Sequence, residues 1–122
     1  MPTTPVIAIV DDDGSVRRAL RRLVLSMSYQ PVDFPSGEAF LESVRDDAPQ
    51  CVILDLHMPG LSGLDVLHRL RTASANIPAV IITANTQPEL RADCLAAGAA
   101  AFLQKPLNAD LLFETLQSAL KN

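Results

Sequence analysis

The stretch that decides the fold is CVILDLHMPG, residues 51–60. Four apolar residues lead directly into the carboxylate of Asp55, and Pro59-Gly60 then turns the chain away. A short apolar run between turn residues is typical of a strand buried on both faces, as in a parallel sheet covered by helices. Asp55 would then lie at the carboxyl end of a central strand, where open α/β sheets bind their ligands. We therefore expect a functional role for Asp55.

Similar apolar runs alternate with helical patterns along the rest of the chain. Strand patterns occupy residues 6–10, 31–34, 51–55, 79–82 and 100–103. An amphipathic helix pattern follows each of them, beginning with a stripe of Val16, Ala19, Leu20, Leu23, Val24 and Met27. Strict alternation with mainly apolar strands predicts an α/β fold, a doubly wound, five-stranded parallel (βα)5 sheet with helices on both faces.

Helix boundaries carry recognisable capping residues. Ser36 and Asn108 are predicted N-caps, and Ser62-Gly63-Leu64-Asp65 predicts a capping box. Thr86-Gln87-Pro88-Glu89 is a similar arrangement with proline in the first turn, and Gly98 suits a left-handed helix stop.

Length and composition indicate one cytoplasmic domain spanning residues 1–122. The formal charge of −4 argues against direct binding to nucleic acid. No apolar run approaches the roughly 18 residues of a membrane span, and the N-terminus lacks signal-peptide features. Cys51 and Cys94 lack metal-ligand spacing and are expected to be buried thiols.

Four arginines lie opposite the apolar stripe of the first helix, namely Arg17, Arg18, Arg21 and Arg22. A solvated helix face is the favoured interpretation. A docking surface for an acidic partner is the alternative, and the sequence leaves it open.

Polar residues follow four of the five predicted strands: Asp11-Asp12, Asp55, Thr83 and Lys105. In a parallel sheet these strand ends share one edge, so the side chains are expected to converge. Three carboxylates held together repel one another, and an oxygen-only site favours a hard divalent ion, Mg²⁺ first. Lys105 and Thr83 would contact phosphoryl oxygens. The site therefore suits phosphoryl transfer onto an aspartate.

The same segments resemble a known family. Asp11-Asp12, the run 53–60, the strand end 82–84 and the run 98–106 are similar to the bacterial response-regulator receiver domain of the CheY-like superfamily. Residues 9–20 are most similar to its FixJ-type branch. The resemblance covers the whole chain.

The resemblance implies that Asp55 accepts phosphate from a sensor histidine kinase or a phosphotransfer protein. It implies that Asp11, Asp12, Asp55 and the main-chain carbonyl of His57 hold Mg²⁺, with Mn²⁺ as a substitute. Thr83 and Lys105 would contact the phosphoryl group, and the Lys105-Pro106 bond would be cis.

The family also implies a switch at Thr83 and Phe102. Thr83 would move toward the phosphoryl group and Phe102 would turn inward, remodelling the face formed by the fourth helix, fifth strand and fifth helix. Partners, or a second phosphorylated copy, would dock there. A plain packing role for Phe102 is the alternative. His57 and Asn85 would flank the hydrolytic water and tune the lifetime of the acyl phosphate.

Ser28 departs from the family pattern, because many relatives have glycine there, at a left-handed helix exit. The output also stays open, between a single-domain regulator and a fragment of a DNA-binding transcriptional regulator.

Other functions fit the residues less well. Residues 11–16 also resemble the first motif of haloacid-dehalogenase-type phosphatases, with Asp11 as nucleophile, but that family leaves Asp55 unexplained. A flavodoxin-like carrier would need a hydroxyl- and glycine-rich loop after the first strand, where three aspartates would repel phosphate.

Overall fold

The computed structural model describes residues 4–84 and 87–121. Within those residues the chain alternates between five strands and five helices. In chain order these are β1 (Val6–Val10), α1 (Gly14–Ser26), β2 (Gln30–Phe34), α2 (Gly37–Val44), β3 (Cys51–Asp55), α3 (Gly63–Thr72), β4 (Ala79–Thr83), α4 (Pro88–Ala96), β5 (Ala101–Gln104) and α5 (Ala109–Leu120).

All strands are parallel, in the order β2-β1-β3-β4-β5. This order makes β3 the central strand and β2 and β5 the edges. The predicted doubly wound sheet is confirmed, and Asp55 ends its central strand.

The strands bury alternate residues on the two faces of the sheet because successive side chains point in opposite directions. Ala8, Val52 and Ile81 pack with α2, α3 and α4 on one face. Ile7 and Ile53 pack with α1 and α5 on the other. Burial on both faces explains why the strands are nearly continuous apolar runs.

Several predicted caps are present. The Ser36 hydroxyl accepts from the Ala39 amide, and the Asn108 side chain accepts from the Leu111 amide. Ser62 and Asp65 form the full reciprocal capping box of α3. The arrangement predicted around Thr86 lies outside the described residues, and Gln87 is the N-cap position of α4.

Three helix exits pass through the left-handed region: Ser28 after α1, Ser74 after α3 and Gly98 after α4. Gly98 has φ +101°, as predicted from its place after α4. Ser28 has φ +66° after α1, so this serine adopts a backbone conformation that glycine favours. The departure recognised in the sequence is therefore a strained position.

Some details differ from the predictions. Ala19, placed on the apolar stripe of the first helix, is exposed. The last strand begins at Ala101 and not at Ala100. No helix within the described ranges has the length and apolar character needed to cross a membrane.

The two cysteines are free and buried. Burial raises the pKa of the Cys51 thiol to about 12, which makes it unreactive at neutral pH. Burial also raises the pKa of Cys94. Both behave as small apolar core residues, as predicted.

Candidate functional site

Three aspartates meet at the carboxyl edge of the sheet. Strands β1 and β3 are neighbours, with Val10 opposite Leu54. The residues that follow this pair, Asp11 and Asp55, therefore also lie side by side. One carboxylate oxygen from each of Asp11, Asp12 and Asp55 lies within 4.8 Å of the others. Asp11 is 1% exposed and Asp55 is 5% exposed, whereas Asp12 is open to solvent. The predicted convergence of these carboxylates is confirmed.

Lys105 brings a positive charge to this group from the end of β5. Its Nζ lies 3.1 Å from Asp11 Oδ2 and 3.5 Å from Asp55 Oδ1. Burial lowers the pKa of Lys105, but its hydrogen bond to Asp11 and the charge of Asp55 raise the pKa by more, so the ammonium stays protonated. The Lys105-Pro106 bond is cis, as the resemblance implies.

The surroundings of Asp55 disfavour its ionised form and raise its pKa above the ordinary value. Burial raises its pKa, and the negative charge of Asp11 raises it further. Lys105 and the backbone amide of His57 act in the opposite direction without cancelling the effect. The site therefore contains more negative charge than Lys105 neutralises. An all-oxygen donor set with surplus charge fits a hard divalent cation.

The adjacent aspartates have separate roles. The Asp13 amide donates to Asp11 Oδ1 at 2.9 Å, and Asp13 itself caps α1 through the amide and hydroxyl of Ser15. The hydrogen bond from the Ser15 hydroxyl lowers the pKa of Asp13. Asp13, and not Asp12, is therefore the N-cap of α1. Asp12 is thus left available to a ligand.

Gly63 fixes the turn after Asp55, and sequence reasoning did not single it out for this. Its amide donates to the carbonyl of Leu56 at 2.9 Å. A Cβ at Gly63 would lie 2.7 Å from the carbonyl oxygen of Asp55 and 2.9 Å from Leu56 Cα. The start of α3 thus lies directly against the backbone of the candidate acceptor. A glycine at the first position of a predicted helix was the available signal.

Three of the four remaining predicted site residues lie within the described residues. Thr83 ends β4 fully buried, one residue beyond the partner of Asp55 in the β3–β4 register, and its carbonyl accepts from the Lys105 amide at 2.8 Å. The His57 side chain is exposed. Phe102 lies on β5 and is half-buried against the core between the sheet and helices α2, α3 and α4. Asn85 lies outside the described residues.

The arginine face of α1 is divided. Arg17 and Arg21 both pair with Asp33 of β2, at 3.1 and 2.9 Å. Arg18 and Arg22 are exposed. The prediction of a solvated face is therefore right for Arg18 and Arg22 and wrong for the other two. No short sequence spacing pairs Asp33 with these arginines, because it lies 16 residues from Arg17 and 12 from Arg21.

Comparison with known proteins identifies the family. Residues 7–117 match the model of the response regulator receiver domain. The chain is 37% identical over 116 residues to the response regulator protein TodT of Pseudomonas putida F1, covering 95% of this chain and 51% of TodT. It is 31% identical over 121 residues to the transcriptional regulatory protein FixJ of Bradyrhizobium diazoefficiens, covering 99% of this chain and 59% of FixJ. The chain thus spans about half the length of these relatives.

Solved structures agree with this assignment. The signal receiver domain of a putative LuxO repressor protein from Vibrio parahaemolyticus superposes with a TM-score of 0.93 at 29% identity, covering 98% of this chain and 92% of that one. The structure of FixJ-N gives 0.92 at 29% identity, covering 100% and 97%. None of these comparisons supports the phosphatase alternative. The chain belongs to the response regulator receiver domains, the phosphoacceptor domains of two-component signalling.

Proposed function

We propose that Asp55 is the phosphoacceptor and that the phosphoryl donor is a sensor histidine kinase or a phosphotransfer protein. The supporting observation is its position: a buried carboxylate at the end of the central strand, 3.5 Å from Lys105 and beside two further acids. Asp11 is the weaker candidate for nucleophile because it is held more closely: its two carboxylate oxygens accept hydrogen bonds from Asp13 at 2.9 Å and from Lys105 at 3.1 Å, whereas Lys105 lies 3.5 Å from Asp55. This contrast favours the receiver mechanism over a phosphatase mechanism.

Asp11, Asp12, Asp55 and the main-chain carbonyl of His57 would hold Mg²⁺, for which Mn²⁺ could substitute. The observed donor set fits, since three carboxylate oxygens already lie within 4.8 Å of one another. The bound ion would offset the negative charge of the carboxylates and of the incoming phosphoryl group.

In the proposed transfer, a carboxylate oxygen of Asp55 attacks phosphorus and the bond to the donor nitrogen breaks, leaving its electron pair on that nitrogen. The product is an acyl phosphate on Asp55. Lys105, protonated and already within 3.5 Å of Asp55, would pair with a phosphoryl oxygen. The Thr83 hydroxyl would donate to another. Hydrolysis of the acyl phosphate resets the domain, and the exposed His57 together with Asn85 would tune its rate.

The proposed signal is a rearrangement of Thr83 and Phe102, read out on the face formed by α4, β5 and α5. Leu95 of α4 and Leu111 of α5 are 42% and 49% exposed, which supports a docking role for that face. A second phosphorylated copy or a protein partner would bind there. By analogy with FixJ the output is transcriptional, exerted without direct contact between this domain and nucleic acid. We place this signalling in the cytoplasm.

Intact-mass spectrometry after incubation with acetyl phosphate and MgCl₂ tests the acceptor. The wild-type protein is expected to gain the mass of one phosphoryl group, and Asp55→Asn is expected to gain none. Asp11→Asn is expected to be labelled more slowly, because one proposed metal ligand is lost. Asp47→Asn, an exposed loop substitution of the same chemistry, serves as the control and should match the wild type. Label that persists in Asp55→Asn and disappears in Asp11→Asn would overturn the proposal in favour of the phosphatase.

A further inference from the structure

One guanidinium connects the acidic site to the edge strand of the sheet. Arg17 donates through one terminal nitrogen to the main-chain carbonyl of Asp11 at 2.8 Å. Its Nε donates to Asp33 Oδ2 at 3.1 Å. The side chain is only 21% exposed, so both contacts are partly shielded from water. The two contacts use separate nitrogens of one rigid group, which fixes their relative geometry.

Asp33 is a firm anchor for this arginine. It lies on β2 opposite Ile9 of β1, two residues before the Asp11 carbonyl that Arg17 holds. Its second oxygen accepts from Arg21 at 2.9 Å. Pairing of β2 with β1 holds Asp33 in place, and the two arginines bind separate oxygens of its carboxylate, so the bond to Arg17 does not depend on the bond to Arg21.

The backbone is held on both sides of Asp11, and Arg17 holds the peptide that joins Asp11 to Asp12. The Asp11 amide donates to the Phe34 carbonyl at 3.3 Å, and Arg17 holds the Asp11 carbonyl. The Asp12 carboxylate is exposed, and in residues 4–84 and 87–121 no group hydrogen-bonds to it. The backbone therefore sets the direction of the Asp12 Cα–Cβ bond, and Arg17 orients the peptide plane that precedes it.

We propose that Arg17, anchored by Asp33, is a positioning residue for the divalent-cation site, acting through the Asp11 carbonyl on the direction of the Asp12 carboxylate. This inference rests on the proposed Mg²⁺ site. Arg17 contacts Asp33 and the Asp11 carbonyl and is not one of the proposed ligands of the cation or the phosphoryl group. Groups that orient metal ligands in this way commonly change metal affinity by tenfold or more when removed.

The sign of the effect separates positioning from simple electrostatics. Removing a positive charge near a cation site reduces repulsion, so Coulomb's law alone predicts tighter Mg²⁺ binding in Arg17→Gln. Loss of positioning predicts weaker binding. The two explanations therefore differ in direction and not only in size.

Arg21→Gln provides a matched control. It removes the same charge, one turn along α1, and breaks the other arginine contact with Asp33. It leaves the bond from Arg17 to the Asp11 carbonyl in place. Any general loss of stability at the α1–β2 contact is thus shared by the two variants, whereas the contact with Asp11 is lost only in Arg17→Gln.

The test is a titration of the full chain with MgCl₂ at constant ionic strength, followed by ¹H–¹⁵N NMR shifts of the amides around the site. We expect the dissociation constant to rise about tenfold in Arg17→Gln and to stay equal or fall slightly in Arg21→Gln. Equal shifts in both variants, or tighter binding in Arg17→Gln, would overturn the inference. If the wild type itself shows no saturable shift, the proposed metal site fails, and the inference falls with it.

Arg17→Lys keeps the test decisive if Arg17→Gln does not fold. Lysine retains the charge but has a single nitrogen, so it cannot reproduce the two-nitrogen bridge. We expect binding several-fold weaker than in the wild type. Wild-type affinity in a folded Arg17→Lys would also overturn the inference.

Discussion

Asp55 is a carboxylate in surroundings that oppose its ionised form. Burial and the neighbouring charge of Asp11 raise its pKa, and Lys105 offsets this only in part. Ionised Asp55 therefore destabilises the fold in the absence of a cation, although its carboxylate is the proposed phosphoacceptor. Functional sites often retain such costs because the groups concerned are required for chemistry.

Asp55→Asn is accordingly expected to stabilise the fold at pH 7 without metal, on the order of 1 kcal/mol. The folded pKa lies above the ordinary value of 3.8, so the native state binds more protons than the unfolded state between these two values. Stability contributed by this group therefore falls as pH rises through that window. The gain from Asp55→Asn should be larger at pH 7 than at pH 4. Urea unfolding in EDTA at the two pH values measures it.

Asp47→Asn is the control for this experiment, since Asp47 is exposed. It should change stability little at either pH. If Asp55→Asn destabilises the protein at pH 7, or if its gain is larger at pH 4, the ion pair with Lys105 dominates and the electrostatic description of the site is wrong.

The sequence was sufficient to predict the acids and the lysine of the site, because parallel strands bring their carboxyl ends to one edge whatever lies between them in the chain. Arg17 and Asp33 were not predicted as a pair. Their contact depends on the angle at which α1 packs beside β2, and no short sequence spacing encodes that angle. Charge patterns alone indicated only a polar face.

At the level of secondary structure, the first turns of α1 and α3 form a natural pair for comparison. Each begins with glycine at its first helical position. A Cβ at Gly14 would meet only the ends of the Arg18 and Arg17 side chains, at 3.4 and 3.5 Å. A Cβ at Gly63 would lie within 3 Å of the backbone of Asp55 and Leu56.

Gly14→Ala and Gly63→Ala should therefore have opposite effects on stability. Alanine is favoured over glycine in a helix, so Gly14→Ala should stabilise the protein by roughly 0.5 to 1 kcal/mol. Gly63→Ala should destabilise it by about 2 kcal/mol, because backbone atoms cannot move aside as flexible side chains do. Thermal unfolding of both variants measures the difference. Stabilisation by Gly63→Ala would show that α3 can move away from the acceptor strand without cost.

The bounds of the elements followed from local chemistry where side-chain caps were present, as at Ser36, Ser62 and Asn108. Periodicity was less reliable at positions without such a cap. Ala19 fits the apolar stripe of α1 by spacing but is exposed, because a small side chain at the margin of the stripe does not reach the sheet. β5 begins one residue later than predicted, because a run of alanines does not show by its hydrophobic pattern where a strand starts.

At the level of the whole molecule, the sheet separates two packed layers. α1 and α5 cover one face, and α2, α3 and α4 cover the other. Phe102 packs with the second layer from the edge strand β5, next to β4, which ends in Thr83. A change at Thr83 therefore reaches α4 and the β5 edge through few intermediates, whereas α1 lies across the sheet beside β1 and β2.

This arrangement predicts an uneven response to phosphorylation. Hydrogen exchange measured with and without acetyl phosphate and Mg²⁺ should change more in residues 87–105 than in residues 14–27, because the first range is coupled to Thr83 and Phe102. Thr83→Ala is the matched variant. It should still gain label at Asp55 but lose most of the difference in exchange between the two ranges, since the hydroxyl that would contact the phosphoryl group is gone.

An even response in the wild type, or a larger one in residues 14–27, would rule out the switch. An unchanged asymmetry in Thr83→Ala would instead place the coupling in Lys105, whose amide is hydrogen-bonded to the Thr83 carbonyl and would remain so.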